Sequence, residues 1–394
     1  MGLSLARPSL AGFRVGPARA AMLGAVLTVA AGLLSMAEVG RLLQFLSMPV
    51  LTIVSLMVIT LIAESAGLFR LLAWSLAVAA KGDGRRLFGY LFLAGTVTGA
   101  LFTNDAAVLI FTPLVFRLVE EVQEDGWHSS QKTAYYFAVL YVANLVGPLV
   151  ISNPINLVVS SWFDIGFAEY ARWMVLPAVT SMVVTYIGIR IYFRRSIPAR
   201  YRVPEAVAAA IPRTPFMYIC VAALALTLAG FFTERVTGLA TAFVAAIGAG
   251  VLLVLYRVVA GGSVPGVVRR VGWDAIAFVV GIFLVVNGLR AVGFTDTLGR
   301  VVEGSMAYGP ELSHYATGFL ASICSAVMNN HPAADSMALA IHDLPISDLD
   351  AHMHAYAALI GGDLGPKMLP IGSLAALLWF RILRERGVEI SYWL

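Results

Sequence analysis

Charge is what this sequence has least of. Of 394 residues, 13% are Asp, Glu, Lys or Arg, 59% are hydrophobic, and the mean hydropathy is +0.84. A soluble domain carries about 25% charged residues. Soluble, disordered, collagen-like and coiled-coil classes are therefore excluded, and lipid is the solvent for most of the chain. Cysteine is also scarce. Cys220 and Cys324 lie in different apolar segments, with no CxxC and no His/Cys spacing for zinc, so neither a disulfide framework nor a metal site is expected. The sequence has no Asn-x-Ser/Thr acceptor, Walker A motif, HExxH or nucleophile elbow. Nothing points to covalent chemistry, ATP hydrolysis or a cofactor in this chain. The net charge of +4 and pI near 9.1 call for no nucleic acid, because membrane proteins keep extra Lys and Arg on their cytoplasmic side.

What is present is a series of apolar runs. A transmembrane helix needs about 20 apolar residues, so the length admits roughly ten spans. The first run is 20–37, preceded by Arg14 and Arg19. It reads as a retained helix or, through Ser35-Met36-Ala37, as a secretory signal peptide. Further runs cover 42–63, 133–166, 172–193, 216–232, 236–256, 273–292 and 355–382. Regions 87–117 and 313–343 are apolar but interrupted by polar residues. Each is too long for one span and each half too short for a comfortable crossing, the pattern of a re-entrant hairpin whose tip lies at membrane depth. The expected fold is thus an all-α polytopic membrane protein.

Four basic clusters read as cytoplasmic: Lys81, Arg85 and Arg86; Arg194, Arg195, Arg200, Arg202 and Arg213; Arg257, Arg269 and Arg270; Arg381, Arg384 and Arg386. The stretch 343–354, with Asp343, Asp348 and Asp350, suits the outside. Gly67 precedes Asn104 by 37 residues, and Gly293 precedes Asn330 by the same 37. Each hairpin is followed by a broken helix, at Ser152-Asn153-Pro154-Ile155-Asn156 and at Gly361-Gly362-Asp363-Leu364-Gly365-Pro366-Lys367. The charge rule gives the two hairpins opposite orientations. The expectation is an inverted-topology repeat, which points to a transporter site near the midplane. Residues 1–193 form the first repeat (hairpin 87–117, broken helix 133–166), 194–215 a cytoplasmic linker, and 216–394 the second repeat (hairpin 313–343, broken helix 355–382).

Polar groups at that depth must face a cavity, water or one another. Thr103, Asn104 and Asp105 form the first tip, as substrate ligands with Asp105 carrying a proton or cation, or as caps of a half-helix beginning at Ala106. Asn329 and Asn330 are ligands at the second tip, where His331 either relays a proton or caps. Ser152, Asn153 and Asn156 mark the first break, and Gly361 and Gly362 the second. Asp363 is either a coupling carboxylate or the partner that makes Lys367 tolerable in lipid. Gly95 and Gly99 read as helix packing, Glu38 and Glu64 as interfacial, and Cys324 as a small core residue. His128, His314, His342, His352 and His354 read as solvated.

Several stretches carry a family resemblance: Leu23-Gly24-Ala25-Val26-Leu27, Thr103-Asn104-Asp105-Ala106-Ala107 with Thr112-Pro113, Ser152-Asn153 through Asn156-Leu157-Val158, and Gly166-Phe167-Ala168-Glu169-Tyr170. Most specific are Gly362-Asp363-Leu364-Gly365-Pro366-Lys367, Pro370-Ile371-Gly372-Ser373-Leu374-Ala375 and Leu377-Leu378-Trp379. From about Gly24 to Trp393 the chain resembles the arsenite/antimonite efflux permeases of the ArsB type, within the ion transporter (ArsB/NhaD) superfamily. The resemblance implies export of trivalent arsenic or antimony hydroxide across a bacterial-type inner membrane, against protons or with a soluble arsenite-stimulated ATPase subunit. The partners to expect are that cargo, the bilayer, the ATPase subunit and a second copy of the chain. Arsenous acid is mostly neutral at neutral pH and offers hydroxyls to Asn, Ser and Thr. Three convergent thiolates would bind it tightly and release it slowly, and no such set is present.

The chain departs from the family pattern in His331, where Met is usual, and Leu369, where Thr is usual. Helices before Ala20 and after Trp393 are not expected, which leaves the second repeat one helix short. The reading is a secondary permease in which the Asn and Asp groups of both tips and both breaks hold the cargo. Protonation of Asp105 or Asp363, with His331 and Lys367, alternates with binding. A sodium/proton antiporter or a small-anion permease of the same superfamily is the alternative.

Overall fold

The computed structural model describes residues 9–10, 13–14, 16–122, 127–202, 214–369 and 372–390, apart from the side chains of residues 9, 10, 13, 14, 105, 122 and 374. Lipid cannot satisfy backbone N–H and C=O groups, so an apolar chain resolves into helices that satisfy their own. These are α1 (Pro17–Ala30), α2 (Met36–Ser65), α3 (Leu68–Ala79), α4 (Gly84–Leu101), α5 (Asn104–Val122), α6 (Ser129–Val142), α7 (Pro154–Trp162), α8 (Phe167–Tyr192), α9 (Pro215–Phe232), α10 (Glu234–Thr237), α11 (Thr241–Val259), α12 (Val264–Arg270), α13 (Trp273–Ala291), α14 (Phe294–Met306), α15 (Pro310–Met328), α16 (Asn330–His342), α17 (Asp348–Leu364) and α18 (Leu374–Arg384). A two-residue antiparallel ladder, β1 (Ser9–Leu10) with β2 (Phe13–Arg14), precedes them. Helices α2, α8, α9, α11 and α13 are long and apolar enough to cross a membrane. Leu176, Val184 and Ile191 of α8 are 74%, 65% and 60% exposed, which an aqueous surface would not tolerate in a row. The chain is an all-α, multi-pass membrane protein.

The helix ends refine the sequence reading. Run 20–37 is two elements, because α1 stops at Ala30 and α2 starts at Met36. Ser35, part of the cleavage-like triplet, is the cap of α2. Its N–H and Oγ both reach Glu38 Oε2 at 2.7 Å, and Glu38 N–H donates back to Ser35 Oγ. The interrupted regions also extend further than expected. Helices α4, α5 and α15 have 18, 19 and 19 residues, about 27–29 Å each, close to the roughly 30 Å hydrocarbon core. Only α16, at 13 residues, is clearly short. Arg85, Arg86, Glu120 and Glu121 sit inside helix ends, where charge hides helical residues from a hydropathy window.

Gly67 and Gly293 begin the two corresponding stretches in the same way. Each lies in the left-handed region, with φ of 82° and 79°, and starts a helix, α3 and α14 respectively. Glycine adopts that conformation without the Cβ penalty.

The chain divides into two compact units. Unit 1 comprises 1–54, 153–174 and 272–377. In it α1 packs along α13, and α15 along α17. The α15–α17 contact is backbone to backbone: a Cβ on Gly361 would lie 1.9 Å from the Gly318 carbonyl oxygen, and one on Gly365 2.2 Å from that of Ser322. Phe45, Trp162 and Phe283 form an aromatic cluster, with Phe45 and Phe283 stacked at 5.7 Å.

Unit 2 comprises 55–152, 175–271 and 378–394. Helices α4, α5 and α6 pack mutually, and α9 packs on α11. Its hydrogen bonds gather three basic clusters at one end. Tyr201 N–H donates to the Gly82 carbonyl, tying the 194–202 segment to Lys81, Arg85 and Arg86. Tyr135 Oη donates to the Gly84 carbonyl at 3.0 Å. Trp379 Nε1 donates to the Tyr136 carbonyl at 3.1 Å, bringing Arg381 and Arg384 to that same end. Glu64 ion-pairs with Arg270.

Candidate functional site

The first tip and the first part of its break lie in unit 2. Thr103 Oγ1 accepts from Ala106 N–H at 3.1 Å, so Thr103 caps α5. That releases Asn104 from the capping role the sequence left open. Asn104 is 5% exposed and its Nδ2 donates to the Leu145 carbonyl at 3.3 Å, in the non-helical stretch after α6. Gly99 makes room for it, since a Cβ there would stand 2.9 Å from Asn104 Oδ1. Gly95 packs on Val142, as its spacing suggested. Asp105 falls in the first turn of α5, and its side chain lies outside the described residues. Ser152 closes a 3-10 turn, Val150–Ser152. Its Oγ donates to the Ala100 carbonyl at 3.1 Å and accepts from Leu149 N–H at 3.2 Å, pinning the break to the end of α4.

The other candidates lie in unit 1. Asn153 caps α7, accepting from Ile155 N–H at 3.3 Å, and its Nδ2 donates to Asp363 Oδ1 at 2.9 Å. Pro154 takes the first helical place, where no donor is needed. Asn156 is fully buried, and neither its Oδ1 nor its Nδ2 has a hydrogen-bond partner among the described residues. One turn on, Ser160 Oγ is buried and unpartnered too.

Helix α7 packs against α16 and α17. At the start of α16, Asn329 holds φ 84° and ψ 150°, a region that side chains other than glycine rarely enter, and its carbonyl-type Oδ1 accepts from His331 N–H at 3.3 Å. Capping is therefore the work of Asn329 rather than His331. Asn330 is 8% exposed and its Oδ1 is unpartnered. The His331 ring is buried edge-on to Phe278 at 5.4 Å.

Sequence reading passed over Asp335, one helical turn beyond His331. It is 4% exposed, with no hydrogen bond or ion pair among the described residues. Ser336 beside it is fully buried, with its Oγ unpartnered. The signal was available: an ionisable residue in an apolar, membrane-depth helix is itself a functional pointer.

The second break follows α17. Asp363 ends its last full turn, a 3-10 turn covers Gly365–Lys367, and Ser373 Oγ caps α18 by accepting from Ala376 N–H at 3.2 Å. Pro370 and Ile371, quoted above for the resemblance, lie outside the described residues. Asp363 is 1% exposed and interacts electrostatically with Lys367 as well as with Asn153. Gly362 contributes its carbonyl, which accepts from Ser325 Oγ at 2.7 Å, whereas Gly361 serves the contact with Gly318.

Two histidines are not solvated as expected. His354 is 2% exposed, its Nδ1 2.8 Å from Thr317 Oγ1. His352 Nε2 donates to the Phe163 carbonyl at 2.8 Å, and its Nδ1 faces Glu169 Oε1 at 3.1 Å. The cause is the cap of α17. Ser347 Oγ accepts from Asp350 N–H at 3.2 Å, which starts the helix early enough to carry both rings inward.

The arrangement offers buried amides and hydroxyls beside one unpaired and one paired carboxylate, the equipment for a small polar cargo. Among the described residues no group of three His, Cys, Asp or Glu side chains could hold a metal ion. The family model described as arsenical pump membrane protein (ArsB) matches residues 13–394. An arsenical pump membrane protein of Escherichia coli is 33% identical over 376 residues, covering 94% of this chain and 87% of the relative. Another from Yersinia enterocolitica is 34% identical over 344 residues, covering 86% and 80%. With both breaks and both tips inside the residues that the family model matches, the chain belongs to the arsenical pump membrane protein family of transporters.

Proposed function

We propose that the chain exports arsenite and antimonite, as neutral trihydroxides, across the inner membrane in exchange for protons. One observation carries the reading: Asn156 and Asn330, on helices that pack together, bury amide atoms with no partner among the described residues. A buried polar atom left unsatisfied costs about 1–3 kcal/mol. A cargo bearing hydroxyls, and no net charge, repays that cost without requiring a fixed countercharge.

The cargo ligands in this reading are, in unit 1, Asn153, Asn156, Asn329 and Asn330 with backbone at Gly361 and Gly362, and, in unit 2, Thr103, Asn104, Asp105 and Ser152. Asp105, Asp363, His331 and Lys367 handle the proton, and Asp335 joins them. The N-termini of the short helices α7 and α16 direct partial positive charge at cargo oxygens. The chain is read as an inverted repeat, 1–193 against 216–394 about the 194–215 linker, in which α16 is the short arm of the second hairpin while α4, α5 and α15 are close to spanning length. The matched left-handed glycines before α3 and α14 support that symmetry. A soluble ATPase subunit and a second copy of the chain are partners to be sought by co-purification.

The test is uptake into everted vesicles and proteoliposomes, with arsenite, antimonite and sodium compared side by side under an imposed pH jump. Arsenite flux driven by the proton gradient, and lost in Asp105→Asn with Asp363→Asn, is the expected result. Flux indifferent to the gradient and to both substitutions overturns proton coupling. Sodium-dependent flux without arsenite competition assigns the chain to the antiporter or small-anion alternative.

A further inference from the structure

Away from these residues, unit 2 carries a cleft of about 650 Å³ between the start of α4 and the last turns of α8. Its mouth is basic. Arg85 and Arg86 stand exposed on the first turn of α4, and Arg190 reaches in from α8. Arg190 is held in place: Nη1 donates to Tyr186 Oη at 3.2 Å, and the guanidinium lies 5.9 Å from that ring's centroid. One acidic group, Asp83, lines the same mouth. One of its oxygens accepts from the N–H groups of Arg85 and Arg86, and the other lies 3.6 Å from Arg86 Nε. Three arginines against one aspartate leave the mouth at +2. Neither the Arg85 nor the Arg190 side chain is paired with a carboxylate among the described residues.

The floor is different. Phe92, Leu93, Met182 and Val183 line it. Leu93 and Val183 are 50% and 43% exposed, and the strip continues along both helices through Val97 and Val179. Gly89 and Tyr186 face each other across the cleft. A Cβ on Gly89 would lie 2.8 Å from Tyr186 Oη, so a larger side chain there would intrude on the cleft.

A cationic mouth above an apolar strip fits a ligand with an anionic head and a hydrocarbon tail. The three basic clusters gathered at this end of unit 2 place the mouth at the cytoplasmic interface, where anionic lipids are drawn to Arg and Lys. We propose that the cleft binds an anionic glycerophospholipid, with its phosphate on Arg85, Arg86 and Arg190 and an acyl chain along Leu93 and Val183. A free oxyanion would leave the strip bare, and a zwitterionic lipid would bring its ammonium group against the arginines. The proposal stands independently of cargo and coupling ion.

The test uses the full chain purified from membranes and reconstituted in phosphatidylcholine discs with and without phosphatidylglycerol, with bound lipid counted by native mass spectrometry. Arg85→Gln, Arg86→Gln and Arg190→Gln together are expected to lower phosphatidylglycerol retention about tenfold or more. Arg257→Gln with Arg269→Gln, at another basic cluster, should leave it unchanged. Gly89→Val alters no charge and should also lower retention, so it reads out the cleft if the triple variant fails to fold. Equal retention by the triple variant or Gly89→Val, equal retention of phosphatidylcholine, or displacement by inorganic phosphate alone overturns the assignment.

Discussion

Asn153 Nδ2 donates to Asp363 Oδ1 across 2.9 Å, joining the cap of one broken segment to the carboxylate of the other, 210 residues on in the sequence. Both groups are almost fully buried. Asn153→Ala removes the donor and the cap together and should destabilise the protein by about 1–3 kcal/mol, read as a lower unfolding temperature in detergent. Asp363→Asn keeps an acceptor for Asn153 but removes the charge that Lys367 faces. It should retain the fold and lose gradient-driven flux. A stable, fully active Asp363→Asn would remove this carboxylate from the coupling scheme.

Asp335 offers the complementary comparison, because no partner holds its carboxylate among the described residues. Asp335→Asn should leave the unfolding temperature unchanged or higher, since it replaces a buried ionisable group with a neutral isostere without orphaning another group. Gradient-driven flux in proteoliposomes should fall at least tenfold. Normal flux with normal stability would leave Asp335 a bystander.

The Asn329 backbone separates strain from capping. At φ 84° and ψ 150° a side chain costs about 1–3 kcal/mol relative to glycine. Asn329→Gly should therefore be more stable than Asn329→Ala by about that amount, as measured by thermal unfolding of the two variants. Equal stability would mean that the residue is unstrained.

Asp83 gives a pH dependence outside the membrane. The backbone N–H of Arg86, foremost, holds its carboxyl below the ordinary aspartate value, helped by Arg85 N–H and the charges of Arg86 and Arg85. A depressed folded value means that the stabilisation is present above the ordinary aspartate range and is lost as pH falls through the folded value. Asp83→Ala should lower the unfolding temperature at neutral pH and converge with the parent in acid. Asp83→Asn, which still caps, should lie between them. Parallel curves for Asp83→Ala and the parent at all pH values would contradict this.

Gly99→Ala tests how closely the first tip is fitted. Its Cβ would meet a side-chain oxygen, Asn104 Oδ1 at 2.9 Å, which can yield by rotating. The protein should fold and lose flux, scored in vesicles against the amount of folded carrier.

Much of this was legible in the residues. The 37-residue spacing from Gly67 to Asn104 and from Gly293 to Asn330 marked the two tips, because a polar interruption is costly wherever it occurs in lipid and glycine is the residue that can turn the chain through the left-handed region. Helix ends were harder to read: Arg85 and Glu120 are helical, yet look like loop to a hydropathy window. Tertiary partners were harder still. That Thr103 caps α5 while Asn104 reaches Leu145 depends on which hydroxyl faces which amide, and sequence carries no such distance. Asp335 was overlooked because it sits among Ala, Ser and Met rather than in the polar cluster that drew attention to the tip. The Ser347 to Asp350 spacing is a capping pattern that the sequence reading did not use, and His352 and His354 were read as solvated in consequence.

The bare backbone seam between Gly318 and Gly361 constrains how this carrier can move. With no side chains to act as rollers, α15 and α17 cannot ratchet past each other by a turn without driving a larger residue into the opposing main chain. A transport cycle that keeps this seam closed would carry the two helices as one rod, with the strained Asn329 bend and Asp363 at a fixed separation.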